Sequence, residues 1–540
     1  MTRYALMIAC AGYAALCAAE LSAQPDKARL TVRETSLGSR STNIVRLTLT
    51  TSSSQRLAYI VKTARGEAVV VDGVVGRMYE SIPRTPLTEA GITRSIRFSP
   101  DGKRVAYVAR SKGKSFVVVE GVEGPPFARV PVGAPVFSPD GRHIAYIAER
   151  EGKHMVVVDG AQGPTFDWIS ETYPRFTHDG RHLIYSAHRG QRSFIVVDGK
   201  EVAEGEYLGT PVYSDSGGHL AYVKKTGDSW SVVLDGVEGK PYRSIGNNLV
   251  FSRDGRHFLY RGGDTLDYVV VDGVPGHGYG TIQENSYDFS NDGSHVAFVA
   301  HEGRRALWVL DGREAVPYEW VSSDARFSPD GRHLTYAAKV GPKRLVVIGG
   351  REGEPYDDIA TFPSFAPDGR VVYIAKRGAE QVVVVDTTAT AFDAVDGASV
   401  TGAGRLVVVA KRRGEWRLII DGVEGKAYTE PVGPVVMSSD GKRIAYAASA
   451  QSKRAVVVDG LEGAPYDEVD DLALSPDGRH VIYTAKQLGK YVVVVDGLES
   501  PEYDEIVSFP MSDEMAGESF TFLARRGSID LRVTTSWPVR

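Results

Sequence analysis

The stretch Phe137-Ser-Pro-Asp-Gly-Arg-His-Ile-Ala-Tyr146, followed by Val156-Val-Val-Asp-Gly160, decides the architecture of this chain. Pro139 presets φ for a tight turn, and Gly141 supplies the left-handed position that ends it. The apolar run Ile144–Ala148 and the β-branched run Val156–Val158 then read as two buried strands separated by a polar hairpin loop. The same unit returns at Phe327–Tyr336 with Leu345–Gly350, and again at Leu474–Tyr483 with Val492–Gly497.

The acidic residue of the Val-Val-Val-Asp-Gly element marks the period. It falls at Asp72, Glu120, Asp159, Asp198, Asp235, Asp272, Asp311, Asp386, Asp421, Asp459 and Asp496, and Gly349 replaces it once. After the first gap the spacing is 35–39 residues. A thirteenth, partial unit runs from Phe509 to about Trp537 and lacks its last strand. Each unit reads as four strands, a to d. Strand a precedes the Pro-Asp-Gly turn, strands b and c are the two apolar runs, and strand d carries elements such as Pro465-Tyr466-Asp467. Four strands in fewer than 40 residues leave no room for helices. Small sheets repeated a dozen times must pack face to face, and radial closure protects their edges.

The Ser-Pro-Asp-Gly-Arg/Lys turn before an apolar strand resembles the TolB-like, WD-repeat-like β-propeller repeat, over about residues 40–540. That resemblance implies an all-β propeller, often periplasmic or set in front of a hydrolase domain, and no single activity. Propellers usually have 4–8 blades. Twelve or thirteen units therefore lead us to expect two propellers in tandem, residues 28–285 and 286–540; one large ring or an open arc is the alternative. The segment Arg29–Leu37 is a candidate for the missing outer strand of the last blade.

Residues 1–23 read as a secretory signal peptide: Arg3 supplies the charge, and Tyr4–Ala19 is almost wholly apolar. Both cysteines, Cys10 and Cys17, lie inside it, so an exported mature chain would carry no thiol chemistry. A periplasmic or secreted protein without a membrane span is expected. The 540 residues carry 63 Lys+Arg and 68 Asp+Glu, a net charge of −5, which argues against nucleic-acid binding driven by overall charge.

Most tempting residues follow the repeat phase. Nineteen of the 26 tyrosines sit at two repeat positions, ten in strand b and nine, Tyr207 among them, in strand d, and read as packing between blades. Seven of the 12 histidines follow the Pro-Asp-Gly turn. The Asp of each Asp-Gly pair is expected to cap its own turn. His178, His182 and His188 form the densest histidine cluster, but no metal site, cofactor or catalytic residue is assigned. No nucleophile elbow, zinc-protease helix or phosphate loop occurs.

Charge is zoned by loop. The b–c loops are basic, as at Lys411/Arg412/Arg413, and the d–a connections are acidic. Asp357, Asp358, Asp467, Glu468, Asp470, Asp471, Asp504 and Glu505 are the candidate binding residues, near a channel mouth. The sequence thus points to an exported, non-catalytic scaffold that binds a protein, peptide or cell-envelope component through loops on one face. The alternative is an enzyme of the polysaccharide lyase or hydrolase type acting in the channel.

Overall fold

The computed structural model describes residues 30–39, 44–49, 56–83, 96–131, 135–170, 174–450, 452–510 and 519–538. The expected signal segment, with Cys10 and Cys17, lies outside them.

Blade 3 shows how the repeat folds. Its strands are a, Val136–Phe137; b, Ile144–Arg150; c, Lys153–Val158; and d, Ala161–Phe166. They pair antiparallel in that order, with Tyr146 opposite Val157 at the centre. Strands b and c are buried on both faces, which explains their unbroken apolar runs. Ala145, Ile147 and Val156 pack toward Tyr185 of blade 4. Ile144, Tyr146, Met155 and Val157 pack toward Val108 and Phe127 of blade 2. Each sheet thus belongs to two cores.

Thirteen such sheets form one ring, and no helix occurs among the described residues. The partial thirteenth unit is completed by the amino-terminal strand Val32–Ser39, which pairs with Ile529–Ser536. The ring closes where Leu37 and Leu523 of blade 13 pack with Leu57, Tyr59 and Val70 of blade 1. Two tandem propellers are not what forms. The division at residue 285 falls inside blade 7, whose Ile282, Tyr287 and Phe298 share a core with Leu259, Val269 and Tyr279 from blade 6. Blade count is set by the wedge angle at each inter-blade core, and that angle is not written in repeat length.

Two repeat residues do different work from that expected. Asp159, at φ 49°, does not cap its own turn. It reaches across to the start of strand b, where its carboxylate accepts the Ile144 N–H at 3.0 Å and meets His143 Nδ1 at 2.7 Å. The same clasp joins Asp198 to His182 and Leu183, Asp235 to His219 and Leu220, and Asp421 to Arg405 and Leu406. The turn is too tight for the Asp to fold back on itself, but the neighbouring strand presents an unpaired N–H. Six of the seven repeat histidines are therefore clasp residues; His333 faces Gly349, which carries no carboxylate.

The strand-d aromatic packs edge-on against the strand-b aromatic of the next blade. Tyr79 meets Tyr107 at 6.3 Å, Tyr356 meets Tyr373 at 6.3 Å and Tyr466 meets Tyr483 at 6.1 Å between ring centres. Several donate onward to the glutamate just past the next blade's c–d turn: Tyr318 to Glu352 and Tyr466 to Glu499, both at 2.8 Å. In the last blade the closing strand supplies that glutamate, Glu34, which accepts from Tyr503 at 2.9 Å. Tyr207 departs from this set. Gly205 takes the strand-d slot of blade 4, opposite Ser193, and Tyr207 begins strand a of blade 5, where its side chain is 47% exposed.

Candidate functional site

Antiparallel meanders put alternate loops at opposite ends. The Pro-Asp-Gly and Asp-Gly turns share one face of the ring; the b–c hairpins and d–a connections share the other. All eight candidate acids lie on the second face or on the inner strands that begin there. The structure divides them into three groups.

Asp357, Asp467 and Asp504 directly follow the strand-d tyrosine and tie neighbouring blades together. Asp467 pairs with Lys453 of blade 11 at 2.7 Å and accepts the Leu488 N–H of blade 12 at 2.8 Å. Asp357 pairs with Lys343 and accepts from Gly378 at 2.6 Å. Asp504 pairs with Lys490 and accepts from Gly527 at 2.6 Å. Lysine and backbone donors hold all three carboxyls below their ordinary range. Asp167 does the same between blades 3 and 4, through Lys153 and Gly190.

Asp358, Glu468 and Glu505 stand one residue further on, where the chain enters the inner strand. This position recurs around the mouth of the ring, always opposite a residue near the end of strand b. Asp358 faces Lys376, Glu468 faces Lys486 and Glu505 faces Arg525. Glu468 pairs with Lys486 at 3.0 Å, Asp358 with Arg344 at 2.7 Å, and Glu505 with Arg525. In blades 4, 5 and 8 the same position holds Trp168, Tyr207 and Trp320, opposite His188, Lys225 and Lys339. One structural slot is thus aromatic in blades 4, 5 and 8 and acidic in blades 9, 12 and 13, with Ser244, Thr281 and Ala394 in blades 6, 7 and 10.

Asp470 and Asp471 lie deeper, at a bulge in the inner strand Glu468–Leu474. Both are exposed. Asp471 accepts from Thr484 Oγ1 at 2.9 Å, whereas the Asp470 carboxylate forms no ion pair among the described residues.

A second inner feature escaped the sequence reading. The inner strands of blades 5–8 enclose a concavity of about 610 Å³, lined among others by Asp215, Asn248, Asp288, Asp324 and Arg326. Asp288 opens to solvent, yet the walls around it desolvate its carboxyl and push its pKa up, against the Phe289 N–H that it accepts at 2.8 Å. Its lining comes from four separate units, so no linear motif announces it.

The histidine cluster disperses. His182 is clasped to Asp198 and His188 lies against Trp168, with ring centres 5.3 Å apart. Among the described residues no group of three or more His, Cys, Asp or Glu is placed to hold a metal ion.

No family model matches the chain, and no curated protein matches it. Solved structures similar to it include a crystal structure of the eukaryotic initiation factor, 13% identical over 64% of this chain and 97% of that chain, with a TM-score of 0.31. Another is the β-propeller domain of the trilobed protease from Pyrococcus furiosus, described as having an open velcro topology. It is 12% identical over 48% of this chain and 97% of that chain, with a TM-score of 0.24. Neither likeness carries an argument about function; the propeller assignment rests on the thirteen sheets and their closure.

Proposed function

We propose that the chain is an exported, non-catalytic β-propeller scaffold. It binds a protein, peptide or cell-envelope component through the face formed by the b–c hairpins and d–a connections. The observation that carries this reading is the mouth position. Most blades share the aspartate clasp, yet this slot varies from blade to blade, with aromatic rings in blades 4, 5 and 8 and acids in blades 9, 12 and 13. Rigid scaffolds place recognition on such variable loop positions. Export rests on the charge and apolar run of residues 3–19.

The test is capture from a cell-envelope extract by the immobilised mature chain, compared with two variants. A component retained by the parent and lost with Glu468→Gln/Asp470→Asn or with Trp168→Ala/Tyr207→Ala supports the reading. Retention unchanged in both removes this face from consideration. Detection of the full chain, amino terminus included, in the cytosolic fraction alone would remove export.

Asp288 favours the rival reading of a channel enzyme, since a carboxyl with a raised pKa suits general acid work. Polysaccharide cleavage by the parent, abolished in Asp288→Asn, would establish that reading instead.

A further inference from the structure

The aromatic positions of the mouth have a chemistry of their own. Trp168 is 44% exposed, Tyr207 47% and Trp320 38%, whereas the repeat aromatics of the blades are buried between sheets. Trp168 leans on His188 at 5.3 Å, and Tyr207 meets Trp230 edge-on at 5.4 Å. Lys225 lies over the Trp230 ring at 5.3 Å and forms no ion pair among the described residues. Arg344 lies over Trp320 at 5.4 Å. Trp168 and Tyr207 themselves occupy the same slot in consecutive blades, opposite His188 and Lys225, and packed sheets stand about 10 Å apart.

None of these rings is needed for the fold at this position, because Ser81, Thr281 and Ala394 fill the same slot in blades 2, 7 and 10. The rings are not part of an apolar patch either. Polar groups flank them, the half-buried His188 and Lys225 and the exposed Glu206, beside the half-buried ring of Trp230. A ligand suited to this surface has flat, weakly positive C–H faces to lie on the electron-rich rings and many hydroxyls at its edges to meet the polar flanks. It also has to be extended, to reach from one blade to the next.

We infer that the aromatic arc of the mouth, Trp168 and Tyr207 with Lys225 beside them, is a stacking platform for a polysaccharide chain. The inference rests on the scaffold reading above and names the class of envelope component that this face takes. Cation binding is disfavoured there, because Lys225 and Arg344 already stand against the indole faces of Trp230 and Trp320 and repel a further positive charge.

The test is affinity electrophoresis of the mature chain in gels carrying either polygalacturonate or hydroxyethyl cellulose. Retardation by at least one polymer is expected. Trp168→Ala/Tyr207→Ala should weaken it about tenfold per ring removed. Val423→Ala, at a residue 73% exposed beside the Asp421–Gly422 turn on the opposite face, should be retarded like the parent. Retardation by polygalacturonate that also falls in Lys225→Ala assigns the platform to anionic chains; retardation by hydroxyethyl cellulose assigns it to neutral ones. The substituted rings are exposed, so the variants should melt with the parent. Absence of retardation in both gels, or equal retardation of the double ring variant, overturns the inference. If envelope capture by this face persists in that case, the scaffold reading stands and only the ligand class has failed.

Discussion

Tyr146 illustrates what one buried side chain contributes. Its ring is 2% exposed and packs edge-on to Phe127 at 6.2 Å, while its hydroxyl is buried without a hydrogen-bond partner. Burial pushes the phenol up to about 12, so it stays neutral at physiological pH. Tyr146→Ala should cost about 3–5 kcal/mol by cavity formation. Tyr146→Phe should cost nothing, or stabilise by up to about 1 kcal/mol, because it removes an unsatisfied polar atom and keeps the ring. Denaturant melts of the two variants check both signs. The clasp gives a second test. Gly349 has φ 55°, in the range of the clasp aspartates, and a Cβ there would approach His333 Nδ1 at 3.2 Å. Gly349→Asp should complete the missing clasp, with the Leu334 N–H and His333 as its donors. A gain of about 1 kcal/mol is expected, since Asp tolerates the left-handed region and bonds of this kind are charge-assisted. A fall in melting temperature would show that His333 cannot give way.

At the scale of the element, the d–a connection and the inner strand it enters, Glu468–Leu474, do two things within four residues. Asp467 ties blade 11 to blade 12, whereas Asp470, three residues on, breaks no pair when it changes. Asp467→Asn should therefore melt below the parent, and Asp470→Asn should melt with it, in matched thermal scans. The sequence showed the acids as one zone because zoning by loop type is visible in linear order. It could not separate tie from free carboxylate, because the partners of Asp467 come from two different blades. The same limit applies to Tyr207, which falls near the strand-d register in sequence. Gly205 fills that slot, and only the pairing of Ser193 with Gly205 reveals the shift.

For the whole molecule, the carboxylates act together. Turn aspartates such as Asp140, Asp254 and Asp477 are lowered first by a serine hydroxyl two residues before them, and Asp292 falls to about 2. A folded pKa below the unfolded one contributes stability above the unfolded value, and that contribution is lost as pH falls through the folded value. The ring should hold its melting temperature down to about pH 4 and lose it progressively between about pH 4 and pH 2. Circular dichroism melts across that range check this; a flat profile down to pH 2 would mean that these turns are equally bonded in the unfolded chain.

The all-β repeat, its four strands, its turns and the missing thirteenth outer strand are legible in linear order. Each of these depends on local φ preferences and on alternation within about 40 residues. Whatever depends on distance between units emerges only in the folded ring: its thirteen blades, the clasp from Asp159 to Ile144 and the inter-blade tie at Asp467. The ring also sets Trp168 and Tyr207 on adjacent blades at the mouth, where Glu468 occupies the matching slot in blade 12. Repeat phase fixes which slot a residue fills; closure of the ring fixes what that slot faces, because the small wedge between neighbouring sheets accumulates around the circle.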